Sequence, residues 1–149
     1  MAEVAVSLGG GVHDSLPISQ VEQAARWVLA RHSADDATIS IALLSDDDIA
    51  RLNERYLSHS GPTDVISFPL HLPSSPVVGD IYIGAEQASR QASEMKVPLA
   101  EELARLAIHG TLHVLGYSHP DGEEREGTEM YQLQEELLAG FLASSSEER

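Results

Sequence analysis

Ala107-Ile108-His109-Gly110-Thr111-Leu112-His113-Val114-Leu115-Gly116-Tyr117-Ser118-His119 sets three histidines at i, i+4 and i+10. Residues four apart stack on one helix face, so His109 and His113 present two imidazoles to one point. Leu99, Leu103, Leu106 and Ala107 give the preceding turns an apolar stripe, and Gly116 suits the left-handed residue that ends a helix. The turn sends the chain back, and His119 then supplies a third nitrogen. Three imidazoles leave the fourth tetrahedral position open, which separates a catalytic zinc site from a closed structural one. Seven histidines scattered at random through 149 residues would give this spacing far less than once. His13, His32, His59 and His71 have no partner at ligand spacing and read as surface or loop residues.

Upstream of this block the pattern is one of strands and short helices. Val4, Val6 and Leu8 alternate and run into Gly9-Gly10-Gly11, a short strand with a flexible turn. Ser19-Gln20-Val21-Glu22 has capping-box spacing and opens a helix near 19–32. Thr38 to Leu43 is β-branched and alternating. Ser45 then caps a helix whose first turn, Asp46-Asp47-Asp48, favours the positive helix end, a plainer reading than a carboxylate metal site. Thr63–Phe68 and Val77–Ile83 give two more strands, separated by a Pro- and Ser-rich loop. From Ala85 onward the chain reads as helical, broken at Pro98 and at 116–122. Strands early and helices late predict one α+β domain over 1–149, with about four strands in a small mixed sheet packed against helices, rather than a parallel βαβ winding. The tail from about 144 to 149 is expected to fray.

Composition narrows the chemistry. With 9 Lys+Arg against 24 Asp+Glu the net charge is −15, which disfavours broad phosphate attraction. There is no cysteine, so disulfides, zinc ribbons and thiol nucleophiles are excluded and any metal takes His, Asp or Glu ligands. No basic leader or membrane-length apolar run is visible, which makes the cytoplasm the default location. The basic residues are scattered, and only Arg51 and Arg55 share a helical face.

The histidine spacing coincides with the extended zinc-protease signature H-E-x-x-H-x-x-G-x-x-H, with Gly116 at its glycine. The glutamate that would act as general base is replaced by Gly110. Peptide hydrolysis by the usual route is therefore disfavoured, and a bare zinc site that polarises a phosphoryl oxygen points to phosphodiester cleavage.

Leu52-Asn53, Pro62-Thr63-Asp64-Val65-Ile66-Ser67-Phe68-Pro69, Gly79-Asp80-Ile81, the histidine block and Met130 together resemble the YbeY endoribonuclease family in order and spacing. The resemblance implies a zincin-like α+β fold and one Zn(2+) per chain on His109, His113 and His119. It also implies a single-strand-specific endoribonuclease of the bacterial cytoplasm that matures the 3′ end of small-subunit (16S) ribosomal RNA and serves ribosome quality control. The expected partners are single-stranded RNA and the small ribosomal subunit, with no membrane. Asp64, Asp80 and Ser118 are candidates to orient a ligand imidazole, and Arg55, Thr63 and Ser67 are candidate substrate contacts. Two positions depart from the family pattern. Leu57 stands where an arginine usually follows the aromatic, a side chain suited to phosphate as leucine is not, and Ser118 stands where an aspartate is common. A non-catalytic, zinc-stabilised ribosome-associated factor and a metal-dependent hydrolase of another substrate are the alternative readings.

Overall fold

The computed structural model describes residues 1–118 and 128–147. Its elements run β1 (Glu3–Leu8), α1 (Ile18–Arg31), β2 (Thr38–Leu44), α2 (Asp46–Leu57), β3 (Val65–Pro69), β4 (Val78–Gly84), α3 (Ala85–Met95), α4 (Leu99–Leu115) and α5 (Glu129–Glu147). The four strands form one mixed sheet in the order β1-β2-β4-β3. This is the α+β architecture expected, with one correction. β1 pairs parallel to β2 and β2 parallel to β4, so the chain does contain a parallel β1-α1-β2 winding, while only β3 is antiparallel. The difference has a physical origin. Parallel strands normally lie between two helical layers and read as continuous apolar runs, whereas here Ala5, Ser7 and Ser40 are exposed. That exposure produces the alternation expected of an antiparallel sheet.

On the covered face, Val4, Ile39, Ile41, Leu43, Ile81 and Ile83 pack against Val21, Val28 and Leu29 of α1 and Leu103, Ala107 and Leu112 of α4. Burying each large aliphatic side chain contributes roughly 1.5–3 kcal/mol. α5 adds Met130, Leu137, Leu138 and Phe141 to the same core.

Local chemistry fixes most helix ends. Ser45 Oγ accepts the Asp48 N–H at 3.3 Å, and the acidic triplet fills the first turn of α2 as predicted. That helix stops at Leu57 because Ser58 turns left-handed at φ 57°. Asn53 Nδ2 then donates to the Gly61 carbonyl at 3.0 Å and pins the loop leading to β3. The start of α1 is corrected. It follows Pro17 with no side-chain cap, and Glu22 is engaged by Arg26 at 3.0 Å instead of reaching back to the backbone. Ser19 therefore lies inside the first turn, where its hydroxyl accepts from Gln23. α5 keeps helical backbone through Glu147, into the stretch expected to fray, while 148 and 149 lie outside the described residues. Among the described residues, no helix is long and apolar enough to cross a membrane.

Candidate metal centre on α4

Two glycines seat α4 on the sheet. A Cβ at Gly110 would lie 2.7 Å from Ile81 Cγ2, and a Cβ at Gly79 would lie 2.5 and 2.6 Å from the two Val114 γ-methyls. The strand pushes an isoleucine into a gap on the helix, and one turn on the helix pushes a valine into a gap on the strand. This reciprocal fit fixes the rotation of α4. His109 and His113 each precede one of these sheet contacts, so their side chains leave the helix about 100° from the line facing the sheet. A glutamate at position 110 would press its Cβ on Ile81 Cγ2 at 2.7 Å and would need that side chain to shift.

The two imidazoles stand together, with ring centroids 4.7 Å apart and planes at 76°. His109 is only 3% exposed and His113 is half-buried. Gly116 ends the helix at φ 113°, and Tyr117 N–H returns to the Leu112 carbonyl at 3.0 Å, closing the left-handed turn that the sequence predicts. Ser118 is exposed, and His119 lies outside the described residues. Among the described residues no three His, Asp or Glu side chains are placed to hold a metal ion together. The paired imidazoles at one-turn spacing still fit a divalent ion that prefers nitrogen donors.

His109 has a partner that the sequence does not advertise. Its Nδ1 lies 2.6 Å from Oε1 of Gln134 on α5, itself 3% exposed. Gln134 Nε2 donates to Glu135 Oε2 at 3.0 Å. Arg105 Nε in turn donates to Glu135 at 3.0 Å, its other nitrogens reach Glu102 and Glu101, and Gln91 Nε2 donates to Glu102 at 2.6 Å. Burial works against the Arg105 charge, but hydrogen bonds with Glu135 and Glu102 outweigh it and hold the guanidinium pKa above its ordinary value. No local signal could have found Gln134, because 25 residues separate it from His109.

The other candidates are spread over both sheet faces. Ser67 pairs across β3 with Ile81, so it shares the α4 side and is half-buried there. Thr63 is half-buried in the loop before β3, and the carbonyl of the buried Asp64 accepts the Gly84 N–H at 2.8 Å. Asp80 stands apart from the histidines. It alternates with Gly79 and Ile81, which face α4, so it lies on the opposite sheet face from the histidines. There it neighbours Tyr82, whose phenol pKa is raised by burial and then by the Asp80 charge and hydrogen bond. Tyr56, Phe68 and Tyr82 form an edge-to-face aromatic row, with centroids 5.8 and 6.0 Å apart. Arg55 is exposed beside Tyr56, its guanidinium 5.3 Å from the ring, while Arg51 is paired to Asp48 at 2.8 Å. Leu57 is 43% exposed at the last position of α2. Among the lone histidines, His32 bridges the Val28 carbonyl and the Tyr117 hydroxyl, and His71 accepts the Val78 N–H.

A sequence profile described as Endoribonuclease YbeY matches residues 13–142. The chain belongs to this family. Its relatives include Endoribonuclease YbeY of Bacillus subtilis, 37% identical over 144 residues that cover 89% of this chain and 90% of that protein. Endoribonuclease YbeY of Persephonella marina is 37% identical over 122 residues, 79% of each chain. The solution structure of TM1509 from Thermotoga maritima superposes with a TM-score of 0.66 at 25% identity, covering 99% of this chain and 93% of that one. The mixed sheet and its helices are thus a YbeY-like fold.

Proposed function

We propose that this protein is a zinc-dependent endoribonuclease that cuts single-stranded RNA, acting as one domain in the bacterial cytoplasm on the 3′ end of small-subunit ribosomal RNA. The observation that carries the reading is the pair of adjacent imidazoles on α4 in a chain of the YbeY family. Relatives carry the name endoribonuclease, which supports RNA as the substrate. His109, His113 and His119 would hold the metal. Bound zinc supplies Lewis-acid activation of water and of a phosphoryl group. Gln134 keeps the His109 ring in place through Nδ1. Ser67, on the α4 side of the edge strand, and Thr63 before it would donate hydroxyl hydrogen bonds to a phosphate. Gly110 contributes no base, so proton transfer belongs to another group or to solvent.

The test is cleavage of a single-stranded RNA by zinc-loaded protein beside His113→Ala, purified identically. Cleavage by wild type alone supports the reading. Zinc-bound wild type that leaves the RNA intact refutes it for the isolated chain.

A second reading, a zinc-stabilised factor of the small ribosomal subunit without turnover, is favoured by the exposed Leu57 at the arginine position. Leu57→Arg separates the two. Under the enzyme reading with an impaired site, cleavage rises by about tenfold or more, the scale of one added electrostatic contact to developing charge. An unchanged rate in an active enzyme means that another group already does this work.

A further inference from the structure

The amide of Gln134 has two ends that are chemically different, and its surroundings decide which end faces the histidine. Glu135 is a carboxylate held by Arg105 at 3.0 Å, so it accepts hydrogen bonds and donates none. The Gln134 amide nitrogen must therefore face Glu135, which it does at 3.0 Å. Its oxygen is left facing His109 Nδ1 at 2.6 Å. An oxygen acceptor there requires a proton on Nδ1, and a neutral imidazole protonated at Nδ1 carries its lone pair on Nε2.

We propose that Gln134 is a positioning residue: it holds His109 in the Nδ1–H tautomer and fixes the ring plane so that Nε2 is offered to a metal. The proposal rests on the metal reading above and adds what that reading lacks, the group that orients the first ligand. In most histidine metal sites this work falls to a carboxylate or a backbone carbonyl. Here a neutral amide does it, and the carboxylate stands one step further out. Glu135 keeps its own charge satisfied by Arg105, while Glu102, which is 2% exposed, takes a further Arg105 nitrogen and the Gln91 amide. The amide is thus locked from behind by charged groups on α4 and α5 and by Gln91 on α3. A free glutamine would lose much of this orienting effect to rotation about its own side-chain bonds.

The test uses full-length protein and two readouts. The first is a long-range proton–nitrogen NMR spectrum of the histidine rings in metal-free protein, which reports the tautomer without any turnover. The second is zinc affinity by competition with a chromogenic chelator. Wild type is expected to show His109 as the Nδ1–H tautomer. Gln134→Met, close in size but without an acceptor, should lose that tautomer and bind zinc about 10- to 100-fold more weakly. Gln134→Glu keeps an oxygen facing Nδ1, while setting its second oxygen against Glu135, and should keep the proton on Nδ1, which a role in packing alone does not predict. Circular dichroism of both variants establishes that they fold, and Gln134→Glu carries the comparison if Gln134→Met does not. A folded Gln134→Met protein with the wild-type tautomer and zinc affinity within twofold of wild type overturns the proposal. So does a folded Gln134→Glu protein that loses the proton on Nδ1. A wild type that binds no zinc instead overturns the metal reading on which the proposal rests, and that outcome is distinct because it appears before any variant is made.

Discussion

Gly79→Ala is the sharpest probe of how α4 is seated. The added Cβ would lie 2.5 and 2.6 Å from the Val114 γ-methyls and 3.1 Å from Val114 Cβ. Overpacking of this kind costs about 1–3 kcal/mol, while alanine recovers about 0.5–1 kcal/mol over glycine inside a strand. The net expectation is a loss of up to about 2.5 kcal/mol by combining these terms. Val114→Ala removes both offending methyls and, at about 0.8 kcal/mol per buried methylene plus a cavity term, costs about 1.5–3 kcal/mol alone. In that background the alanine at position 79 meets only the β-carbon at 3.1 Å. It should then become neutral or mildly favourable. The double-mutant cycle should show a coupling of about 1–3 kcal/mol, the size of the relieved clash. Urea unfolding of metal-free protein followed by circular dichroism measures all four corners. Additive effects within about 0.5 kcal/mol would refute the reciprocal fit of helix and strand.

Two other outcomes follow from the geometry. Ser45→Ala removes the hydroxyl that accepts the Asp48 N–H and should destabilise the fold by about 1 kcal/mol in the same urea assay; an unchanged midpoint would mean that water caps α2 equally well. Burial and then Asp80 keep the Tyr82 phenol protonated beyond its ordinary pKa of 10.0, so this group's contribution to stability is present below that pH and is lost as pH rises through the folded-state value. Asp80→Asn should move the Tyr82 titration part of the way back, read by ultraviolet absorbance against Tyr82→Phe, and a shift in the other direction would contradict the assignment.

What was legible in the sequence is what nearest neighbours along the chain decide. Ser45 and Gly116 end helices through contacts within a few residues, and both were readable. The pairing of His109 with His113 follows from helix geometry alone. Parallel pairing of β1, β2 and β4 was not readable, because an open sheet face imitates antiparallel alternation. The side of the sheet taken by Asp80 depends on where α4 packs, which no strand reveals about itself. Gly79 and Gly110 did carry a signal, since glycine inside a strand marks a close approach, but the two become intelligible only as partners. The Ser19 capping box failed because Arg26, seven residues on, claims its glutamate.

The bond between His109 and Gln134 also bears on when the protein becomes competent during its own synthesis. A ribosome making this chain releases both α4 histidines well before the amide that aims one of them. On the proposed reading, His109 gains its orienting partner only once α5 has emerged and docked. The order in which the helices leave the ribosome thus sets the order in which this contact can form, α4 waiting on α5.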